Sequence, residues 1–436
     1  MLKRVILSTM LLLVFQQVKA TPYINADDRY LHSSIQILQK SGHLNLPMAS
    51  YPLSWVSVLQ QVAQIDRTAL TDNETLALQR ILVAADFARQ EHIRTLIVSG
   101  SSEPVNSGLQ GARFDESALI GVMSEHKGHN WAVGIRTNFR IDARDDKEQH
   151  FDGSYLAYTL DNWVISLAQQ PLWLGNMHSQ SEQLNWQGRA PKTVQISRLN
   201  PGKALFSGKP TKHPLAARLI VGEMPSSVSL NDARFVLATV NLIPLPRLEL
   251  GVTAAQLRDV ENTLLTKADT DSEHIEELQL DARYALGNSS IYGQWGTQQH
   301  RDDKAQHFGI GSDYHQWLNG WQSTFFTEYK YYEQNFLNWR QPESFQKTPF
   351  IQALAVKSNL TAGAYFFRAD GVGASIKVNQ IRYNQSGNNS SHQLYYVSAQ
   401  HPLFNGLVTA EITHSTKTAE GLYSRWQGAV RYEYRW

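Results

Sequence analysis

Tryptophan, asparagine and arginine crowd into two polar stretches of this chain. The first, 171–191, reads PLWLGNMHSQSEQLNWQGRAP and carries Trp173, Asn176, His178, Asn185, Trp186 and Arg189. The second, 333–349, carries Asn335, Asn338, Trp339 and Arg340. That mixture suits a sugar. Indoles cover the apolar face of a pyranose ring, amides meet its hydroxyls, and a guanidinium pairs with the carboxylate of an acidic polymer. The same tryptophans would also serve as anchors at lipid headgroups.

Signatures of catalysis are missing. There is no G-x-S-x-G elbow, no H-E-x-x-H and no Gly-rich phosphate loop. Asp269, Asp271 and Glu273 alternate like oxygen donors to Ca²⁺, but no glycine follows to make the tight turn. His126, His129 and His178 lack ligand spacing. Neither a cofactor nor a metal is expected, and the chain does not read as an enzyme.

The elements that position these residues are strands. The chain ends on AVRYEYRW, with Val430, Tyr432, Tyr434 and Trp436 on one face and Arg431, Glu433 and Arg435 on the other. Period two puts successive side chains in two environments. A soluble sandwich shows the same alternation, but termini normally fray and this one is aromatic. An outer-membrane strand accepts such a face toward lipid and its charges toward a wet lumen. A terminal Trp436 on such a strand is the expected signal for the barrel-assembly machinery. WAVGIRTNFRID repeats the pattern: Trp131, Val133, Ile135, Phe139 and Ile141 oppose Arg136, Asn138, Arg140 and Asp142. Lumen arginines Arg136, Arg140, Arg425 and Arg431 could guide an anion, or form ion-pair ladders with Glu433, Asp142 and Asp281.

The N-terminus reads as an export signal. Lys3 and Arg4 precede an apolar run from Val5 to Phe15, and Val18 and Ala20 set up cleavage after Ala20. The run is too short to span a membrane. Removing Lys3, Arg4 and Lys19 with the leader leaves 37 basic against 39 acidic residues. No nucleic-acid partner is indicated. Cysteine is absent and mean hydropathy is −0.36. With no long apolar run beyond the leader, only a β-barrel could cross a membrane.

Residues 21–92 differ from the rest. Asp27 or Asp28 caps a helix carrying Tyr30, Leu31, Ile35 and Leu38, closed by Gly42. Ser54 caps a second over Trp55–Gln64, and TDNE at Thr71–Glu74 is a capping box for a third. Three short helices are too few for an independent core. They are expected to form a periplasmic bundle or plug, packed against the mouth of a barrel formed by 93–436.

Strand parity sets the count. The last strand must run toward the periplasm, where turns are short. Short turns fall near 125–129, 160–162, 244–246, 287–289, 317–320, 368–371 and 402–405. Long connections fall near 143–152, 170–192, 259–273, 333–349 and 384–391. With HIRTLIVSG as the first strand, the total is about 18. The 200–214 connection is long for a periplasmic turn.

Two stretches carry a resemblance. DRYLHSSIQILQKSGHLNLPMASYPLSW (28–55) resembles the N-terminal signature of the Wzi family of outer-membrane capsule-assembly proteins, with Tyr51-Pro52 at its aromatic–proline dipeptide. LIPLPRLELGVTAAQ (242–256) is similar to the family's mid-barrel strand pair. In a third stretch Trp173, Gly175, Ser181, Arg189 and Pro191 match the family's motif, while Leu174 and Asn176 depart from it. The resemblance implies an 18-stranded barrel with a helical bundle at its periplasmic end. It also implies a lectin-like role holding capsular or related surface polysaccharide, with the ligand left open by the departures. Outer-membrane lipids and lipopolysaccharide would surround such a barrel. Trp173, Asn176, Trp186, Arg189, Asn338, Trp339 and Arg340 are the expected glycan contacts. A substrate-selective 18-stranded porin has the same outer pattern and is the alternative.

Overall fold

The computed structural model describes residues 23–25, 28–102, 116–143, 147–179, 190–205, 208–224, 233–260, 273–300, 303–333, 336, 355–385, 388–416 and 425–436. The leader with its expected cleavage site lies outside them.

Eighteen antiparallel strands close into one barrel. Gln149–His150 and Tyr155–Leu160 are two halves of a single strand, both laid against Trp131–Ile141. The seam joins the first strand, His92–Ser101, to the last, Arg425–Arg435, in register from Ala429↔Ser101 to Arg435↔Thr95. Closure gives every strand two neighbours, the condition for carrying backbone amides through hydrocarbon. No helix among the described residues is long and apolar enough to cross a membrane.

Alternation sorts the side chains. Along Arg234–Leu245, Val236 and Val240 are exposed on the outer wall, while Phe235, Leu237, Thr239 and Asn241 are buried inside. Ile135, Phe139, Leu280, Tyr284, Ile376 and Val378 all face outward, as their spacing predicts. The result is an exposed apolar belt around a largely polar interior, the pattern of an outer-membrane barrel.

The hairpin ends follow turn chemistry. Asn319 (φ 47°) and Gly320 (φ 83°) both adopt left-handed backbone between Asp303–Leu318 and Trp321–Tyr332. That is the two-residue geometry favoured by the strands' own twist. The other short turns lie where the sequence places them. One external connection does not: the strands Gly373–Gln385 and Asn388–Leu403 run on to the Gln385↔Asn388 pair. The strand ladder therefore runs through most of the long loop expected at 384–391, because backbone hydrogen bonding needs no apolar side chains and an all-polar run can carry it.

Three helices fill the short-turn end of the lumen: α1 (Arg29–Lys40), α2 (Trp55–Val62) and α3 (Asp72–Ala88). Asp28 caps α1 by accepting from Leu31 N at 2.9 Å, and Gly42 (φ 84°) ends it. Thr71 and Glu74 form the expected capping box on α3. Ser54 stands at the N-cap of α2 but makes no side-chain cap bond, and α2 stops at Val62. Leu31, Ile35 and Leu38 join Tyr51, Trp55, Val58, Ala77 and Ile81 in one apolar core.

The opposite face of α1 is buried too. Arg29, Ser33, Gln36 and Lys40 recur at i, i+4, i+7 and i+11, one stripe of a helix. Arg29 donates to Ser375 Oγ (3.2 Å), Ser33 Oγ lies 3.4 Å from Thr324 Oγ1, and Lys40 pairs with Asp313. The helices thus sit within the barrel and not merely against its mouth.

Candidate glycan-binding site

The first nine residues of the first Trp/Asn/Arg stretch, 171–179, turn inward. Leu172 and Leu174 pack on Ile220, Phe235, Leu237, Leu257 and Ile275 of the wall, an apolar patch inside the barrel. Trp173–Leu174 forms a two-residue ladder with Ser50–Tyr51 of the helical segment. Gly175 then donates to Ala49 O at 2.7 Å with φ 100°, a backbone region closed to most side chains.

Beyond Gly175 the loop is tied to the wall by carboxylates. Glu328 accepts from His178 N (2.5 Å), Ser179 N (3.0 Å) and Tyr292 OH (2.9 Å), and also from Ser179 Oγ. His178 stacks on Phe326 with centroids 5.0 Å apart. Its Nε2 lies 2.9 Å from Asp313 Oδ2. Asp313 is the hub: it takes Arg283 Nη2 at 2.7 Å and Ser290 Oγ at 2.5 Å, and it holds Lys40 of α1. Burial, with the Arg283 charge nearby, pushes the Lys40 ammonium down to about 7, against the opposing pull of Asp313. One network therefore joins loop, wall and helix.

Three more anchors hold the helices. Glu249 accepts from Met48 N (2.7 Å) and Ala49 N (2.8 Å). Arg218 donates to Tyr51 O (2.9 Å) and Pro52 O. Arg80 lies 3.6 Å above the Tyr30 ring and bonds Gln322.

The expected glycan contacts separate. Trp173 (8% exposed) and Asn176 (7%) lie inside the barrel, neither on an exposed platform nor in a lipid girdle. The physical reason is the apolar wall patch, which draws in the Leu172 and Leu174 flanking Trp173. Trp186, Arg189, Asn338, Trp339 and Arg340 lie outside the described residues, as do Asn185 and Asn335. Phe336, at the start of the second stretch, is buried against Tyr332 and His307.

The lumen charges are largely paired. Arg431 meets Glu433 at 2.6 Å, as the ladder reading has it. Arg140 instead takes Glu116 (2.8 Å), because Asp142 turns away at φ 53°. Arg136 donates to Asn138 Oδ1 (3.0 Å), and Asp281 accepts from Gln279 (2.8 Å). Trp436 exchanges backbone hydrogen bonds with Arg94 (2.8 and 3.0 Å) and stacks on Tyr434. Sequence reasoning missed Lys40, Asp313, Glu328 and Glu249. The available signal was a carboxylate on the lumen parity of an aromatic-rich strand, as in SDYHQW and FTEYKYY.

Comparison with solved structures places this architecture. Wzi of Escherichia coli, described as an outer-membrane protein involved in group 1 capsule assembly and as a carbohydrate-binding β-barrel, superposes with a TM-score of 0.74. Identity is 15%, over 95% of this chain and 99% of that one. The chain has the Wzi fold. OccK2 (OpdF) of Pseudomonas aeruginosa gives a TM-score of 0.49 at 11% identity, over 79% of this chain and 96% of that one. No protein-family model matches the sequence, and no curated protein matches it. The resemblance read from the helical segment and mid-barrel strands is thus one of shared architecture along nearly the whole chain. The protein is a bacterial outer-membrane barrel.

Proposed function

We propose that this barrel binds capsular or related surface polysaccharide at its external face and retains it on the cell. The observation that carries the reading is the crossing of the lumen from both ends. The helices enter from the short-turn side and residues 172–179 from the other, meeting at Asp313. A diffusion channel needs a conduit along that axis, whereas a polymer-holding protein does not. The likeness to Wzi, itself described as carbohydrate-binding, supports the same choice.

In this reading Trp186, Arg189, Asn338, Trp339 and Arg340 make the contacts. Trp173 and Asn176 position the base of the first loop. Each repeat of a long glycan binds weakly, and effective concentration multiplies the result. Lipopolysaccharide is the outer neighbour of the belt, and the barrel-assembly machinery reads the Trp436 strand.

The test is the triple variant Trp186→Ala, Arg189→Ala and Trp339→Ala, checked for normal heat-modifiable barrel. Polymer should pass from the cells to the medium. Full retention by a properly inserted variant refutes the reading. Steady single-channel conductance by the unaltered protein would favour the porin.

A further inference from the structure

A second site lies at the opposite end of the molecule. Between α1, the start of α3 and the barrel rim is a cavity of about 330 Å³. Small-molecule sites run from roughly 300 to 1,000 Å³, so this one is mono- or disaccharide-sized. Exposed Thr71 and Asp72 stand at its edge, so it is reached from the short-turn, periplasmic side.

Its lining combines one flat apolar face with neutral hydrogen-bonding groups. Trp317 pairs with Gln322, whose amide bonds Asn73 of α3, so both side chains point inward, away from lipid. At 36% exposed, the Trp317 indole is left facing the mouth. Ser41, Asn73 and Asn288 supply hydroxyl and amide groups around it. His315, only 2% exposed, also lines the cavity. Its Nδ1 is taken by Thr324 Oγ1 at 2.7 Å, and its Nε2 has no hydrogen-bond partner. A buried ring nitrogen without a partner is costly unless something supplies one.

The charges narrow the ligand. Asp72 and Glu74 at the rim disfavour an anion. Lys40 at the back, already held by Asp313, disfavours a cation. A neutral ring with an apolar face and hydroxyl edges fits both constraints. We infer that the cavity lined by Trp317, His315 and Asn288 is a periplasm-facing binding site for a neutral pyranoside. The indole stacks on the ring, His315 Nε2 hydrogen-bonds a hydroxyl, and the amides of Asn73 and Asn288 take the others. This site is separate from the external loops and does not depend on their role.

The experiment titrates detergent-solubilised full-length protein with methyl pyranosides and with maltose, cellobiose and chitobiose. Inorganic phosphate is the control, and calorimetry and saturation-transfer NMR give the readout. At least one pyranoside should bind, and Trp317→Ala should weaken it tenfold or more. Asn288→Ala, in an exposed turn, is the second variant, expected to weaken binding severalfold while leaving heat-modifiable mobility normal. The external-loop triple variant should bind the same sugar unchanged, which separates the two readings. Absence of pyranoside binding overturns the inference. So does binding that is indifferent to both cavity variants, or phosphate binding in place of sugar.

Discussion

Replacing Asp313 with alanine should unseat the helices while leaving the barrel closed. Asp313 is 3% exposed, and its carboxylate balances Lys40 of α1 and Arg283 of the wall. Removing one partner of a buried ionic group strands the others and costs about 3–5 kcal/mol. Arg283 retains Ser290 (2.9 Å) and the Tyr292 ring (5.5 Å), so the wall tolerates the loss. Lys40 retains nothing comparable, and the cost falls on the seating of α1. At about 1.4 kcal/mol per factor of ten, the unseated fraction should rise roughly a hundredfold to a few thousandfold. Amide exchange across 29–40 reads this directly, with bilayer conductance as a second measure. Adding Lys40→Met to the variant removes the stranded buried amine and should restore most of the protection, a non-additivity expected of contacting residues. Unchanged exchange in the single variant, or no rescue in the double, would show that the network does not hold the helix.

Three further outcomes follow from the same geometry. Val133→Arg, on the outer wall, should destabilise the barrel by about 2–4 kcal/mol if it lies near the bilayer midplane, and Arg136→Ser by far less; reversed sensitivities in urea unfolding would mean the faces are inverted. Deleting Trp436 removes two seam hydrogen bonds to Arg94 and the Tyr434 stack, and heat-modifiable barrel in the membrane fraction should fall sharply. Burial chiefly, with His178 and Arg283 nearby, holds His32 well below its ordinary value of 6.5. The unfolded chain therefore binds the extra proton first, and the contribution of neutral His32 is present above about pH 6.5 and lost as pH falls below it. Amide protection in α1, measured against the intrinsic exchange rate at each pH, should fall between pH 7 and pH 5, and His32→Leu should flatten that dependence.

The wall was legible because its signal is local. Alternation in WAVGIRTNFRID decides faces residue by residue, and the turn Asn319-Gly320 announces itself by composition. The caps Asp28 and Thr71 are equally local. What lay hidden was which polar faces are buried. The stripe Arg29, Ser33, Gln36, Lys40 looks like a solvated helix face, and only the polar lumen makes it an interface. Trp173 misled for the matching reason. A tryptophan in a polar loop suggests a platform or a girdle, and nothing adjacent reveals that Phe235 and Leu237, some sixty residues on, offer an apolar landing inside the barrel.

A polar seat has a consequence for assembly. Water can fill a lumen lined by Asn241, Glu249, Gln279, Asp313 and Thr324 before the helices arrive, so barrel closure need not await them. The apolar core of the helical segment is built mainly from its own residues, with Trp173 as the barrel's contribution. Wall contacts such as Arg283–Asp313 and Tyr292–Glu328 are complete without α1. The chain lacking residues 23–88 but retaining its leader should therefore insert and remain heat-modifiable. It should also conduct ions, since the residues crossing from the short-turn side are gone. Conductance by the truncated barrel beside silence from the full chain is the expected pair. A truncated chain that fails to insert would show instead that the helices template the wall, and the charged face of α1 would then be a folding contact before it is a closure.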